Sequence, residues 1–317
     1  MKSIAFFFLC FSIINFSKAF SQTKKDQTFS IITFGDMPYF LPEDYARFEN
    51  LIKTVNTQNQ VFNVHVGDIK SSKTKCTEEY YNKIYGYFEQ FNKPLIYTPG
   101  DNEWNDCNKE EAGSYDPEER LEVIRKTFFK DNKSFGKEKL TLISQSENKN
   151  FSKFVENRRW DYNTISFATL NTSGTNNNLV ADSKNYNKEF FERDAANLAW
   201  LVEIFKNAKQ NNSKGVVIFT QADMFNSDKE ASGFKHIIAA LKKLSIDFQK
   251  PVLLVNGDSH KYIVDKPILK DAKTKKVLEN FTRIQVFGEQ DMHAVKIIFD
   301  PASESLFKTE QFLIKGN

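Results

Sequence analysis

The sequence predicts an α/β fold on a largely parallel sheet, and three observations carry that prediction. Short runs of β-branched and aromatic residues alternate with helical patterns. Four of the 12 Gly precede Asp, at Gly35-Asp36, Gly67-Asp68, Gly100-Asp101 and Gly257-Asp258, each just after an apolar strand candidate. After residue 280 only strand patterns remain, which predicts that the C-terminal segment completes a second sheet.

The elements follow in order. A strand over 29–34 leads to a helix over 42–55, with Tyr45, Phe48, Leu51, Ile52 and Val55 at helical spacing. A strand over 61–66 leads to a helix over 77–91, opened by an N-cap Thr77 and two Glu. After a strand over 94–98, Asp116-Pro117-Glu118-Glu119 signals a helix start, with an N-cap Asp, a Pro at the first helical position and a capping-box Glu. Strands over 164–170, 216–220 and 252–255 alternate with helices over 188–206 and 234–248, and strands over 283–287, 294–299 and 305–314 close the chain. Residues 105–160 and 172–187 are rich in Asn, Lys, Ser and Glu without an apolar period of their own. They read as insertions in one domain spanning 22–317.

The chain has 317 residues, 44 Lys plus Arg against 41 Asp plus Glu, and a mean hydropathy of -0.52. A net charge of +3 without a long basic run argues against nucleic acid as the main partner. Lys2, an apolar run over 4–16 and Ala19-Phe20-Ser21 predict a signal peptide over 1–21 and an exported chain, periplasmic or secreted. The run is about 13 residues where a membrane span needs roughly 20, so no mature span is expected. Removing the leader leaves Cys76 and Cys107, eight residues after Asp68 and six after Asp101. In an oxidising compartment a disulfide between these two loops is the default.

In a mostly parallel sheet the carboxyl ends of the strands share one edge, so Asp36, Asp68, Asp101 and Asp258 would converge there. Converging carboxylates repel, and protonation or a cation between them relieves the strain. His260, two residues after Asp258, adds an imidazole to what reads as a divalent-metal site. Around it, Lys70 and Lys73 are candidates to cradle phosphate or to lie in a solvated loop. Trp104 would floor a pocket or pack its loop, and His65 would be catalytic or a structural strand-end residue. His236 reads as a surface or core-edge residue, and His293 has no assigned role.

The ordered set Gly35-Asp36, Gly67-Asp68, Gly100-Asp101-Asn102-Glu103, Gln221 after a Val-rich strand, and Gly257-Asp258-Ser259-His260 resembles the calcineurin-like metallophosphoesterase superfamily over residues 28–300. The helix carrying Leu198, Trp200 and Leu201 is similar to that family too. The resemblance implies a two-sheet sandwich flanked by helices, two divalent cations and a small phosphorylated substrate. It makes Asp36, Asp68, Asp101, Gln221, Asp258 and His260 the metal ligands, with Asp68 bridging, and Asn102, Glu103 and His65 the catalytic candidates. The sequence departs from the family where Pro38, Asn102, Gln221 and Asp258 stand in place of histidines and Asp101 in place of an asparagine. The position that Pro38 cannot fill would then be taken by water, by Tyr39, or by nothing. This oxygen-rich set with one imidazole favours Mn, Mg, Fe or Ca over Zn.

Two functions stay open on these residues. The retained acids point to an exported metal-dependent phosphoesterase that attacks phosphorus through a metal-activated water. The lost histidines point to a catalytically inert binding or envelope structural protein on the same fold.

Overall fold

The computed structural model describes residues 27–180, 187–226 and 232–317. The expected leader over 1–21 lies outside them, as do residues 181–186 of the 172–187 segment. Among the described residues no helix is long and apolar enough to cross a membrane.

One sheet joins β1 (Phe29–Phe34), β2 (Asn63–His65), β3 (Leu95–Tyr97), β13 (Ala294–Phe299) and β14 (Phe307–Phe312) in the order β14-β13-β1-β2-β3. β1, β2 and β3 are parallel, whereas β13 runs antiparallel to β1 and to β14. The facing sheet joins β4 (Ile143–Ser144), β5 (Arg158–Tyr162), β6 (Ile165–Thr169), β7 (Gly215–Phe219), β8 (Val252–Asn256), β9 (Ile263–Asp265) and β12 (Phe281–Gln285) in the order β4-β5-β6-β7-β8-β12-β9. Its middle strands β6, β7, β8 and β12 are parallel. β10 (Leu269–Asp271) and β11 (Lys276–Val277) form a separate hairpin.

The sheets pack face to face through Ile31, Phe62, Val64 and Ile96 on one side and Trp160, Phe167, Val217 and Leu253 on the other. Against the outer face of the first sheet lie α1 (Glu43–Val55), α2 (Glu78–Phe88) and α3 (Pro117–Phe128), whose Phe48, Ile84 and Ile124 share one apolar core with Ile32 and Phe34 of β1. A single turn, α4 (Gly174–Asn177), precedes the long α5 (Lys188–Gln210) and α6 (Lys235–Phe248), which cover the second sheet through Trp200, Ile204, Ile237 and Leu241. Helices therefore sandwich two sheets, the predicted architecture. With both faces covered, β7 and β8 are buried at every residue, which explains why they read as unbroken apolar runs.

Local signals were accurate at helix starts. Thr77 accepts the Tyr80 N–H, and Asp116 accepts those of Glu118 and Glu119. The capping-box reading of Glu119 needs correction, because its carboxylate pairs with Arg120 instead. The terminal strands also divide where one sheet was expected. β12 pairs with β8, while β13 and β14 fill the open side of β1. Helix α5 runs on to Gln210 because Ala208 still falls on its buried face.

Candidate metal centre

Parallel β1, β2 and β3 send their exit loops to one edge, and the loops leaving β7 and β8 meet them there. The Asp36 N–H donates to Gly67 O at 3.0 Å, the Gly257 N–H to Gln221 O at 3.0 Å, and the Asp258 N–H to Asp36 Oδ1 at 2.9 Å. The glycines before the acids permit this crowding. A Cβ on Gly100 would lie 2.1 Å from Asp68 Oδ1, and one on Gly257 would lie 2.2 Å from Asp36 Oδ2. Asp36, Asp68 and Asp258 themselves adopt positive φ, at 55°, 55° and 78°. Asp tolerates that region better than most residues.

Asp36, Asp68 and His260 each bring one ligand atom within 4.8 Å of the others. His260 Nε2 lies 3.5 Å from Asp36 Oδ1, and its Nδ1 lies 3.0 Å from Glu289 Oε2, which orients the ring. Asp36 Oδ2 is buried with no hydrogen-bond partner. Two carboxylates, one of them with an unpartnered buried oxygen, and one imidazole suit a single hard divalent cation. Among the described residues this is the one such group of three, where two cations were expected.

The other predicted ligands surround the trio without joining it. Asp101 Oδ2 accepts from Thr175 Oγ1 at 2.9 Å, and its Oδ1 is buried without a partner. Asp258 Oδ2 accepts the Asp223 N–H at 2.9 Å. Gln221 Oε1 accepts the Gly174 N–H at 2.6 Å and Nε2 points to Asp68 Oδ2 at 3.2 Å. An N–H can only donate, so Gly174 fixes the amide oxygen on its own side. Gln221 therefore offers Asp68 a donor, and its amide oxygen is not turned to the trio as the sequence suggested. Tyr39 reaches the site as anticipated, but its hydroxyl donates to Asp68 Oδ2 at 3.0 Å and accepts from Asn102 Nδ2 at 2.8 Å. Asn102 Nδ2 also donates to Asp68 Oδ2, at 3.0 Å.

Burial sets the electrostatics. It raises Asp36, although bonds from His260 and the Asp258 N–H oppose the rise. Burial, followed by the fields of Asp101, Glu103, Asp36 and Asp258, holds Asp68 well above the usual carboxylate range. Burial lifts Asp101 to about 6, helped by Asp106, and lifts Asp258 to about 7, helped by Asp101. Burial disfavours the charged form of His260, but bonds and charges from Asp36 and Glu289 together push it up to about 9.

The catalytic candidates divide. Asn102 lies on Asp68. Glu103 is fully buried, and its Oε1 accepts from Gly100 N, Asp68 N and Tyr97 Oη at 2.7, 3.2 and 2.7 Å, so it braces the loops. His65 faces away, among Phe34, Phe48, Phe88 and Tyr97. Its Nδ1 accepts the Gly67 N–H at 3.2 Å and its Nε2 lies 3.3 Å from Met37 O, a pairing that only the neutral Nε2–H tautomer satisfies. The structural alternative for His65 is the one this geometry fits. Lys70 neither cradles an exposed phosphate nor lies in solvent: it is fully buried, donating to Asn102 O at 2.6 Å and Ser71 O at 2.9 Å, while Lys73 is exposed. Trp104 is buried beneath Arg193 and packs the loop. His236 is largely exposed and pairs with Asp194, and His293 Nδ1 accepts the Ile314 N–H.

Residues outside the predicted set also shape the site. Arg283 donates to Asp223 Oδ1 at 2.6 Å, Ser259 donates to Asp223 Oδ2 at 2.7 Å, and Glu289 holds His260. Gly288-Glu289 repeats the glycine-acid pattern shortly after β12, so a signal for Glu289 was present. Thr175, in a polar segment without period, gave none.

No protein-family model matches the sequence, and no curated protein does either. Solved structures do. A dimetal phosphatase from Danio rerio aligns with a TM-score of 0.52 at 10% identity, covering 90% of this chain and 99% of that one. A purple acid phosphatase from yellow lupin seeds aligns at 0.52 and 12% identity, covering 90% of this chain and 54% of that one. At such identity the alignment speaks for the fold alone, and that fold is the two-sheet sandwich described above: the chain has the calcineurin-like metallophosphoesterase fold.

Proposed function

We propose that the protein is an exported, metal-dependent phosphoesterase acting on small phosphorylated substrates. The observation that carries this reading is the meeting of Asp36, Asp68 and His260 within 4.8 Å at the exits of three separate strands, with Asp36 Oδ2 buried and unpartnered. A chain without a ligand there gains nothing from carboxylates driven to higher pKa, chiefly by their burial. When bound, a divalent cation such as Mn or Mg would supply Lewis-acid neutralisation of the phosphoryl oxygens. Asp36 and Asp68 supply negative ligand atoms, Glu289 sets the His260 ring, and the Asn102 amide and Tyr39 hydroxyl provide polar groups beside them.

Asn102 stands where a titrating histidine is expected, and an amide cannot protonate a leaving group. Missing general-acid catalysis costs about 100-fold to 10,000-fold. Aryl phosphates and phosphoanhydrides, whose leaving groups need little protonation, should therefore turn over better than alkyl phosphates. The test is hydrolysis of an aryl phosphate, a nucleoside triphosphate and an alkyl phosphate with Mn or Mg, comparing the wild type with Asp68→Asn. Turnover that depends on Asp68 is expected; its absence with every substrate and metal would refute the enzymatic reading.

One observation favours the inert alternative: three protein donors already converge on Asp68 Oδ2. That reading predicts cation binding without hydrolysis, so the same assay paired with a metal count separates the two.

A further inference from the structure

An aspartate that bridges two cations needs two lone pairs free for metal, either one on each oxygen or both on one oxygen. Asp68 does not have two to give. Its Oδ2 accepts from Tyr39 Oη, Asn102 Nδ2 and Gln221 Nε2 at 3.0, 3.0 and 3.2 Å, and its Oδ1 accepts the Asn102 N–H at 3.1 Å. A carboxylate oxygen has two lone pairs. Three donors more than occupy Oδ2, whereas one donor on Oδ1 leaves room for a single cation.

The donors on Oδ2 are held from behind. The Gly174 N–H pins the Gln221 oxygen and so turns its amide hydrogens to Asp68. The Tyr39 hydroxyl has one proton, directed at Asp68, and its lone pair receives Asn102, which orients that amide as well. Gly174 and Thr175 belong to a turn in which Thr175, Asn176, Asn177 and Asn178 all have positive φ, between 49° and 61°. That is a costly backbone for residues other than glycine. It is secured by Arg193, fully buried, which donates to Asn177 Oδ1 and to Asn177 O, and by Asn176 Oδ1, which accepts the Gly233 N–H. The same turn places Thr175 Oγ1 on Asp101 Oδ2.

We propose that the chain's own donors, Tyr39, Asn102 and Gln221, take the place of one of the two cations that the resemblance implies, so that the centre is mononuclear, with its cation between Asp36, Asp68 and His260. This rests on the metal-dependent reading above and fixes its stoichiometry. Hydrogen-bond donors neutralise only part of the carboxylate charge, but they need no metal supply.

The full mature chain, stripped with chelator, loaded with excess Mn(II) and desalted, is analysed for Mn per chain by elemental mass spectrometry. One equivalent is expected. Two equivalents would overturn the mononuclear assignment while leaving metal dependence intact, and none would overturn both. Gln221→Glu keeps an oxygen for the Gly174 N–H and turns a second oxygen, no longer a donor, towards Asp68. Combined with Asn102→Asp, it leaves Tyr39 Oη as the one remaining donor on Oδ2 and so frees a lone pair there. This double variant is expected to bind a second equivalent and to show a larger rise in melting temperature on adding Mn than the wild type. A single equivalent with an unchanged shift would overturn the role given to these donors. Should the double variant fail to fold, Gln221→Glu with Tyr39→Phe likewise leaves one donor on Oδ2, and the same two outcomes apply.

Discussion

His65 and His260 stand near the same sheet edge under opposite conditions. Burial with only a carbonyl to receive its proton drives His65 down to about 3, while Asp36 and Glu289 pull His260 up to about 9 despite its own burial. A histidine that stays neutral at every physiological pH, with both ring nitrogens bonded to main chain, holds the Met37 and Gly67 turns in place. Replacing it with Leu should leave a buried donor and a buried acceptor unpaired and cost about 2–5 kcal/mol. Denaturant unfolding would measure that loss. Asp68→Asn should lose Mn affinity at least about tenfold, as read by titration calorimetry, because an amide brings no negative charge to the cation. Asp36, Asp68 and His260 were legible in the sequence because glycine-acid pairs at strand exits carry their own placement. Gln221 was legible as a position but not as a donor, since the Gly174 N–H that orients it lies 47 residues away in the chain. Lys70 was illegible for a similar reason: a lysine among serines reads as solvated, and only the stacking of two loops buries it.

Elements were read best where a local signal fixes them. Thr77 and Asp116 begin their helices as side-chain caps should, whereas strand partnership depends on chain that a local pattern does not include, and so the C-terminal strands were misassigned. Two tertiary ties join these elements. The Cys76–Cys107 disulfide, with Cα atoms 5.8 Å apart, links the loop after β2 to the loop after β3 across a separation of 31 residues. In the chain-entropy account, closing a loop of that size is worth about 3–4 kcal/mol, so the Cys76→Ser, Cys107→Ser double variant should unfold at correspondingly lower denaturant. Free-thiol titration of the unreduced wild type should find neither cysteine. The second tie is ionic. Arg125 on α3 bonds both oxygens of the fully buried Glu156, at 2.6 and 3.0 Å, and so fastens α3 to the segment before β5. Removing the carboxylate with Glu156→Ala leaves a mostly buried guanidinium with Glu122 as its ionic partner and should cost up to about 3 kcal/mol, again checked by denaturant unfolding.

For the molecule as a whole, the carboxylate cluster links stability to pH. Asp101 and Asp258 have native values of about 6 and 7 against an ordinary 3.8, so the folded chain keeps protons that the unfolded chain has released. Stability from these groups is present at acid pH and is lost as pH rises from about 4 to about 7. Asp36 and Asp68 are raised by burial as well and act with the same sign, while His65 opposes them between about 3 and 6.5. Cation-free protein should therefore melt at lower temperature at pH 8 than at pH 5, and Mn should recover most of the difference; scanning calorimetry with and without Mn tests both. The five-stranded sheet has a further effect, on the order of assembly. β1 lies between β2 and β13, with Phe29 opposite Phe299, so its second neighbour comes from a stretch far along the chain from it. Such distant pairing slows folding. A ribosome-bound chain would expose one edge of β1 until residues 294–299 emerged, and a chain passed through a membrane before that point would travel without a finished sheet.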